Sequence, residues 1–386
     1  MEKSTLSEWK INGARIIVRA DLNGSRGPNG EFFDDFRLKA LCPTLSLIIK
    51  KGGLITLIGH SGRPTKKSSD LSLFPLCSWL EKKGFTVTFA QDIDEAKRLS
   101  KKTTAQILLV ENIRFFPEET NCDLTFAQEL AQLGTYFVQD AFGSLHRSSA
   151  SISVLHSLFA VSRKSIGLLV EEELKNLSMI TNNPPKPFTL IIGGNKPETK
   201  IPLIKKLLDH VSTILLCPPL VFTFLKTSNI ETGRSLIDDT QWDNAVEIIN
   251  EAKKRGITLV TPLDYLVTTG TIEKPFPLST ARTINSTQIG ISVGPETIAL
   301  FKRHITNART ILFNGAPGLK EHPETLEASR CILQALQLSN AQKVIAGGDT
   351  VALAHYFKYS DHTTFFSTGG GSTLAYLTGE TLPGLW

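Results

Sequence analysis

Short, almost continuous apolar runs alternate with amphipathic stretches along the whole chain. The runs LITLIG (54–59), QILLVEN (106–112) and FTLIIGG (188–194) have the length of buried strands. Residues 35–51 and 125–134 instead carry apolar side chains at helical spacing. Buried apolar strands separated by helices are typical of parallel sheets that are covered on both faces. The alternation therefore predicts an α/β fold.

The length of 386 residues and a break in the middle of the chain indicate two domains. A helical stretch at 167–180 ends at NNPPKP (182–187), after which the alternation starts again. We predict two doubly wound parallel sheets, with an N-terminal domain over residues 1–166, a connecting helix over 167–182 and a C-terminal domain over 183–369. A single (β/α)8 barrel is the main alternative, but about a dozen strands are too many for it.

Charge and cysteine content exclude several classes of protein. The net charge of +5 is spread along the chain, so we expect no nucleic-acid partner. The five cysteines form no CxxC pair, which disfavours a zinc site and favours a reducing compartment. The segment MEKSTLSEWK has no apolar stretch and no apolar run reaches about 18 residues, so we expect neither a signal peptide nor a membrane span. These features predict a cytoplasmic protein.

Basic and polar side chains follow the predicted strands of the first half. Ligands of α/β folds bind at the carboxyl ends of strands, where these side chains would converge. Guanidinium groups bind phosphate and carboxylate bidentately, so we predict a site for a small, multiply charged anion. Each arginine could instead pair with a nearby carboxylate. The residues concerned are Asp21, Asn23, Arg37, His60, Arg63, Arg114, His146 and Arg147.

The predicted strands of the second half end in glycine-rich segments. These segments are IIGGNK (191–196), VGPE (293–296), FNGAPG (313–318), IAGGDT (345–350) and STGGGS (367–372). Glycine lets backbone N–H groups approach a phosphate, although it can also serve only close packing. With Lys196 and Lys200 beside the first segment, we predict a site for a nucleotide polyphosphate. Magnesium would arrive with the nucleotide and reach Asp349.

An anion site in one half and a polyphosphate site in the other indicate phosphoryl transfer. This reaction depends on positioning and charge neutralisation more than on a covalent nucleophile. The sequence contains no GxSxG and no HExxH motif that would indicate a different chemistry.

The order of these motifs resembles the phosphoglycerate kinase family over nearly the whole chain. VRADLN is similar to the family's VRxDFN, FDDFRL to TDDxRI, GHSGRP to SHLGRP and ENIRFFPEE to ENLRFxPEE. DAFGSLHRSSAS is similar to DAFGTAHRAHAS. In the second half, GGNKPETK resembles GGxKVxDK, NGAPGLKE resembles NGPxGVFE, and AGGDT and STGGGS resemble GGGDT and STGGGA.

The resemblance implies two Rossmann-like domains joined by a helix, with the C-terminus (about residues 370–386) returning to the N-terminal domain. It implies a monomeric, cytosolic glycolytic enzyme that works by hinge closure. Such an enzyme is a phosphotransferase with a carboxyl acceptor, which moves phosphate reversibly between 1,3-bisphosphoglycerate with Mg-ADP and 3-phosphoglycerate with ATP. Small-molecule substrates and nucleotide would be its partners.

The resemblance also implies roles for individual residues. Arg37, Lys196 and Lys200 would serve the transferring phosphoryl group. The residues that would bind 3-phosphoglycerate are Asp21, Leu22, Asn23, Arg37, His60, Ser61, Gly62, Arg63, Arg114 and Arg147. Those that would bind ATP or ADP, with Mg²⁺ at Asp349, are Lys196, Lys200, Asn314, Glu321, Gly347, Gly348, Asp349, Thr350, Gly369, Gly370 and Gly371.

Departures from the family pattern fall mostly on the nucleotide side. Residues 217–221 read CPPLV where the family has GGGMA at its adenine pocket. Ala316, Pro317 and Lys320 alter the NGPxGVFE motif, and Ser149 replaces the second histidine of HRxH. Two alternatives therefore stay open. One is a non-catalytic relative that binds a phosphorylated metabolite, and the other is a kinase of the same architecture with altered nucleotide or acid specificity.

Overall fold

The computed structural model describes residues 5–26, 32–272 and 277–386. These residues form two compact units. Unit 1 contains the described residues up to Lys175 together with Thr381–Trp386, and unit 2 contains Asn176–Glu380. Among the described residues, we find no helix with the length and apolar content needed to cross a membrane.

Unit 1 is built on a parallel six-stranded sheet with the order β5-β6-β4-β1-β7-β8. Two further short strands pair with each other in antiparallel fashion. The strands are β1 (Arg15–Asp21), β2 (Ser25–Arg26), β3 (Phe32–Asp34), β4 (Leu54–His60), β5 (Val87–Ala90), β6 (Ile107–Val110), β7 (Tyr136–Asp140) and β8 (Lys164–Ile166).

Helices cover both faces of this sheet, and α6 continues from unit 1 into unit 2. They are α1 (Phe36–Lys50), α2 (Leu76–Lys82), α3 (Ile93–Ser100), α4 (Pro117–Thr120), α5 (Leu124–Ala131) and α6 (Leu168–Thr181). Successive residues of β1 serve opposite faces: Ile16 and Val18 belong to the apolar cluster that contains α1, and Ile17 to the cluster that contains α5. Both faces are therefore apolar, as the near-continuous run of β1 predicts.

Packing rather than intrinsic propensity holds α1 together. Pro43 lies inside this helix, where a proline costs about 3 kcal/mol. Leu38, Leu41, Leu45 and Ile48 form a buried stripe on the same helix. Each such side chain stabilises by about 1.5–3 kcal/mol on burial, so the stripe outweighs the proline.

Unit 2 contains a second parallel six-stranded sheet with the order β11-β10-β9-β15-β16-β17. Its strands are β9 (Phe188–Ile192), β10 (Thr213–Leu216), β11 (Thr258–Val260), β12 (Tyr265–Thr268), β13 (Leu278–Ala281), β14 (Ile289–Val293), β15 (Thr310–Asn314), β16 (Gln342–Ile345) and β17 (Thr364–Phe366). Its helices are α7 (Pro197–Leu207), α8 (Leu220–Thr227), α9 (Trp242–Lys254), α10 (Pro295–Asn307), α11 (Glu327–Leu338), α12 (Gly348–Tyr356) and α13 (Gly371–Thr378).

Both sheets have a topological switch point, which is where α/β folds bind ligands. In unit 1 the chain reverses its direction of winding between β1 and β7, and in unit 2 between β9 and β15. The predicted α/β fold with two doubly wound parallel sheets is confirmed, and a single barrel is excluded.

The structure departs from the predicted alternation at residues 265–293. These residues contribute β12, β13 and β14, which form a separate antiparallel sheet beside the parallel one. The strand predicted before the segment VGPE (293–296) is therefore present as β14, but it does not extend the parallel sheet. Which strands pair with each other depends on contacts between residues far apart in sequence, and a local apolar pattern gives no information about these contacts.

The chain passes from unit 1 to unit 2 within α6, where unit 1 ends at Lys175 and unit 2 begins at Asn176. Thr381–Trp386 belong to unit 1, whereas α13 packs against α7 within unit 2. Only the last residues lie in unit 1, where Trp386 stacks on His156 with ring centroids 5.0 Å apart. The predicted domain bounds, with a return of the chain near residue 370, stay a prediction. The binding roles of the two domains remain predictions.

Candidate functional site

The end of β1 is tied to the first turn of α1 and to the loop after β4. Arg37 Nη1 donates to Asp21 Oδ2 at 3.2 Å. The backbone N–H of Asn23 donates to Asp21 Oδ1 at 3.2 Å, and Asn23 Oδ1 accepts from the backbone N–H of Gly62 at 3.0 Å. The side chain of Arg37 remains about one-third exposed, so it can still contact a ligand.

The loop after β4 carries three of the predicted substrate residues and positions a fourth. Gly62 has a φ of +66°, and its carbonyl accepts from Arg114 Nη1 at 2.9 Å. The carbonyl of Ser61 accepts from Asn112 Nδ2 at 2.8 Å. His60 is the last residue of β4 and is buried. The loop therefore brings Arg114 and His60 to the same edge of the sheet.

The positively charged arginines at this edge repel one another when no anion is present. Burial lowers the pKa of Arg114 to about 10, and the charges of Arg19 and Arg147 lower it further, against an opposing effect of Glu119. Burial also holds the pKa of His60 well below its ordinary value, and Arg19, Arg114, Arg147 and Arg37 act in the same direction. A multiply charged anion would relieve this repulsion, which is the electrostatic signature of an anion-binding site.

The remaining predicted residues of unit 1 differ in whether their side chains are exposed and can contact a ligand. Arg63 and Arg147 are exposed, and Arg147 Nε donates to His146 Nε2 at 3.1 Å. Leu22 is fully buried, and a Cβ on Gly59 would lie 2.6 Å from its Cδ1 atom. Leu22 can therefore contact a ligand only through its backbone.

In unit 2 the groups at the switch point meet around Lys200. This residue lies in the second turn of α7, which begins at Pro197 directly after Lys196. Lys200 Nζ donates to Asn314 Oδ1 at the end of β15. Burial lowers the pKa of Lys200 to about 8, Lys196 acts in the same direction, and Asp349 opposes both. An ammonium group that is partly desolvated in this way gains most from a bound phosphate.

The glycines at this edge fall into two groups. A Cβ on Gly315 would lie 2.1 Å from the carbonyl oxygen of Gly193, so this pair lets two strand ends approach closely. A Cβ on Gly348 or Gly370 would meet no atom within 4 Å among the described residues. The absence of a side chain at these two positions is therefore not a packing requirement, and it leaves room for a ligand next to the backbone.

Three helices begin at the carboxyl edge of the unit 2 sheet. They are α7 after β9, α12 after β16 and α13 after β17. Gly347 and Gly370 occupy the N-cap positions of α12 and α13 with φ of +93° and +49°. Thr350, in the first turn of α12, accepts from the backbone N–H of Gly315 at 2.9 Å. Free N–H groups at helix N-termini favour anions, so this edge suits phosphate groups.

Glu321 and the segment 293–296 are predicted at the nucleotide site but, among the described residues, do not join the groups around Lys200. Glu321 is exposed in the 315–326 loop, and within the part of the chain that the structure describes it contacts none of the groups around Lys200 through a hydrogen bond or ion pair. The segment 293–296 follows β14 of the antiparallel sheet, so four glycine-rich segments rather than five share the parallel edge. Asp264 caps α10 there, and a Cβ on Gly294 would lie 2.3 Å from its Oδ2 atom.

Asp349 is the carboxylate whose charge acts on Lys200 at the predicted phosphate site. It is exposed in the first turn of α12. No group of three or more His, Cys, Asp or Glu residues that could hold a metal ion occurs among the described residues. A single carboxylate fits Mg²⁺ that is bound mainly by water and substrate phosphates, which is how nucleotide-dependent enzymes commonly hold it.

Sequence reasoning missed two buried charged residues of unit 1. Arg19 lies in β1 and Glu119 in α4, and each is 1% exposed. The predicted site residues lie at or after the ends of strands, whereas Arg19 is the fifth residue of its strand. The signal was a charged side chain inside an otherwise apolar run, because such a residue must find a partner when buried.

Two units, each built on a parallel sheet with a switch point, place the chain in the class of two-domain α/β proteins. Comparison with known proteins gives the family. The phosphoglycerate kinase family model matches residues 6–380. Two curated phosphoglycerate kinases, from Chlorobium luteolum and Dictyoglomus turgidum, are each 35% identical to this chain; the alignments cover 100% of the chain and 99% and 98% of these relatives.

Solved structures agree with this result. The structure of phosphoglycerate kinase from Coxiella burnetii has a TM-score of 0.85 at 28% identity, over 99% of this chain and 98% of that one. The enzyme from Pyrococcus horikoshii has a TM-score of 0.83 at 23% identity, which supports the fold alone. The chain belongs to the phosphoglycerate kinase family.

Proposed function

We propose that this chain catalyses reversible phosphoryl transfer between 1,3-bisphosphoglycerate with ADP and 3-phosphoglycerate with ATP, as a step of glycolysis. The observation that carries the proposal is the extent of the family match, which spans residues 6–380 and so includes both the arginine-rich edge of unit 1 and the glycine-rich edge of unit 2. The class of reaction is phosphotransfer to a carboxyl group.

Unit 1 is proposed to bind 3-phosphoglycerate. Arg114, held by the Gly62 carbonyl, and Arg37, held by Asp21, offer guanidinium groups to the phosphate and the carboxylate of this ligand. His60, Arg63 and Arg147 complete the proposed anion site, together with Asp21, Leu22, Asn23, Ser61 and Gly62.

Unit 2 is proposed to bind the nucleotide polyphosphate. Lys200, Lys196 and the N-termini of α7, α12 and α13 support this assignment, as does the open space beside Gly348 and Gly370. Asn314, Gly347, Asp349, Thr350, Gly369 and Gly371 belong to the same proposed site. Glu321 is retained as the proposed ribose contact on the resemblance alone. Asp349 would hold Mg²⁺, which neutralises phosphate charge when bound with the nucleotide.

In the proposed reaction a carboxylate oxygen of 3-phosphoglycerate attacks the γ-phosphorus of ATP. A new P–O bond forms to the carboxylate while the bond to the β-phosphate oxygen breaks, and ADP leaves with that electron pair. Arg37 and Lys200 are proposed to neutralise the charge on the transferring group. Because the two reactants are assigned to different units, the proposal includes a hinge closure that excludes water from the acyl phosphate. We further propose a cytoplasmic monomer, as the family resemblance implies.

One structural observation favours a second candidate, a relative that binds a phosphorylated metabolite without catalysis. Residues 217–221 replace the glycines of the family's adenine pocket. Cys217 is fully buried, and a Cβ on Gly193 would lie 2.7 Å from its Cβ atom. Pro218 and Pro219 remove two backbone donors. This candidate predicts 3-phosphoglycerate binding without nucleotide binding.

The test is a coupled assay of ATP-dependent turnover of 3-phosphoglycerate, run with Lys200→Ala and with Lys205→Ala as a matched control. Lys205 lies on the same helix but bonds Glu247 at 2.6 Å and Asn244 at 2.8 Å, away from Asn314. We expect turnover in the wild type and the control and its loss in Lys200→Ala. Folded wild-type protein without turnover would contradict the proposal, and calorimetric binding of 3-phosphoglycerate but not ATP would establish the second candidate.

A further inference from the structure

Among the described residues, Arg19 makes a hydrogen bond to one of the predicted substrate residues, His60. The side chain of Arg19 is 1% exposed and lies on the face of β1 that it shares with Ile17. Nε donates to Ser151 Oγ at 2.8 Å, Nη2 meets His60 Nδ1 at 3.0 Å, and Nη1 donates to the carbonyl of Ala20. The guanidinium is thus fixed at each of its nitrogens.

This contact determines which nitrogen of His60 carries the proton. A guanidinium group can only donate hydrogen bonds. Nδ1 of His60 must therefore accept, which requires that it carry no proton. A neutral imidazole then has its proton on Nε2. A doubly protonated imidazolium would instead direct a second N–H at the guanidinium, so the contact excludes the cation on geometric grounds.

The buried carboxylate of Glu119 is the countercharge of Arg19, and the hydroxyl of Ser151 bridges the two groups. Glu119 Oε1 accepts from Ser151 Oγ at 2.6 Å and from Ser149 Oγ at 2.7 Å, and Glu119 Oε2 accepts from the backbone N–H of Ser151 at 2.9 Å. Because the hydroxyl of Ser151 donates its hydrogen bond to Glu119, its oxygen can accept the hydrogen bond from Arg19 Nε. Hydrogen bonds are therefore donated in one direction, from Arg19 to Ser151 and from Ser151 to Glu119.

The groups around His60 oppose its protonation from several elements. Arg19 approaches from β1, Arg37 from α1, Arg114 from the turn after β6 and Arg147 from the loop after β7, and all four act in the same direction on His60. Within the described part of the chain, the contact with Arg19 is the hydrogen bond that the imidazole makes. Its Nε2–H is therefore available to an incoming anion.

We propose that Arg19 is a positioning residue that fixes His60 as the neutral Nε2–H tautomer, so that His60 offers the substrate anion a hydrogen-bond donor rather than a charge. The inference deepens the proposed function and rests on it where it names 3-phosphoglycerate as the anion. A neutral donor adds no repulsion to the four arginines while the site is empty. It also keeps its proton when the pH changes.

The tautomer is measured by NMR on the full-length protein labelled with ¹⁵N-histidine, without ligand. His60→Gln assigns the signal of His60 among the eight histidines. We expect the Nε2–H form at neutral pH and also at about pH 6.5, where an ordinary histidine is half protonated. A protonated Nδ1 or a titrating His60 would overturn the proposal whether or not the protein turns over 3-phosphoglycerate.

The role of Arg19 is tested with Arg19→Met. We expect His60 to populate both tautomers and the KM for 3-phosphoglycerate to rise about tenfold or more, with little change in the KM for ATP. The matched control is Arg15→Met, the same exchange on the same strand. Arg15 is also buried, but it bonds the carbonyls of Ile55 and Thr103, both at 3.2 Å, and does not contact His60. The control is expected to keep the wild-type tautomer.

Loss of Arg19 leaves Glu119 buried without its countercharge, so the single variant could fail to fold. The double variant Arg19→Met with Glu119→Gln removes both buried charges, so the role of Arg19 can be tested even if the single variant does not fold. Unchanged His60 signals and an unchanged KM in either folded variant would overturn the positioning role. If the tautomer changes as expected but wild-type protein does not bind 3-phosphoglycerate, the proposed function fails instead.

Discussion

Lys200 donates a hydrogen bond to Asn314, which joins the helix after β9 to the end of the neighbouring strand β15. The contact holds the ammonium group at the switch point of the unit 2 sheet, where the phosphates of a nucleotide are proposed to lie. It also keeps the group partly desolvated, which lowers the pKa of Lys200 to about 8.

The lowered pKa of Lys200 predicts a pH dependence. Below its pKa the amine is charged and can neutralise phosphate, and above its pKa it is neutral. We therefore expect kcat/KM for ATP, which reports the free enzyme, to fall as the pH rises through about 8. Lys200→Arg keeps its charge throughout this range and should remove the fall, whatever its absolute activity. A wild-type profile that stays flat up to about pH 10 would contradict this prediction, because either the pKa of Lys200 is not lowered or its charge is not used.

Arg37→Ala is expected to reduce turnover by about 100- to 1000-fold, because a donor aimed at developing charge contributes about 3–4 kcal/mol. The measurement is kcat at saturating substrates. Lys39→Ala is the matched control, since Lys39 lies on the same helix but pairs with Asp35 at 2.7 Å and is well exposed. A tenfold loss or less in Arg37→Ala would mean that Arg37 serves mainly as the ion-pair partner of Asp21.

Substitution of two glycines by alanine distinguishes a glycine that leaves room for a ligand from a glycine that is required for packing. Gly348→Ala places a Cβ in open space, so we expect nearly unchanged thermal stability but weaker ATP binding by calorimetry, because the methyl group occupies the space proposed for phosphate. Gly315→Ala meets the backbone of Gly193 and has a φ of +115°, so it should lower the melting temperature. Unchanged ATP affinity in Gly348→Ala would remove this loop from the nucleotide site.

The buried carboxyl of Asp140 predicts a pH-dependent stability. It accepts from the backbone N–H of Val170 in the first turn of α6 at 3.1 Å, and burial raises its pKa to about 7. The folded protein then binds more protons than the unfolded chain between about pH 4 and 7. The stability that Asp140 contributes is fully present below this range and is lost as the pH rises through it, by roughly 4 kcal/mol.

Asp140→Asn tests this contribution by chemical denaturation at several pH values. We expect the free energy of unfolding of the wild type, taken relative to the variant, to decrease between about pH 4 and 7. The same exchange at Asp92, an exposed carboxylate that caps α3, is the control and should lack this decrease. A difference for Asp140→Asn that is constant with pH would mean that Asp140 is ionised in the folded protein.

Much of the architecture could be predicted because it depends on local pattern. The buried strands LITLIG and FTLIIGG and the helix over 35–51 follow from periodicity, and they appear as β4, β9 and α1. The carboxyl ends of parallel strands also share one edge of a sheet, so the sequence alone predicts that residues such as Arg114 and His60 lie near one another. The antiparallel placement of β14 could not be predicted, because its partners are chosen by tertiary pairing.

The candidate site was harder to predict where burial decides the role of a residue. A sequence does not distinguish Gly315, which packs against Gly193, from Gly348, which faces open space. Nor does it give the direction of a buried side chain such as Arg19, whose partners Ser151 and Glu119 lie at least 100 positions away. Such contacts depend on packing between distant segments rather than on spacing along the chain.

The central claim is that the chain forms an acyl phosphate from ATP and 3-phosphoglycerate. Hydroxylamine traps an acyl phosphate as a stable hydroxamate, which mass spectrometry detects directly. The account predicts a hydroxamate of 3-phosphoglycerate that requires ATP, Mg²⁺ and the wild-type protein, and that is nearly absent with Arg37→Ala or Lys200→Ala. No hydroxamate from folded wild-type protein that binds 3-phosphoglycerate would contradict it.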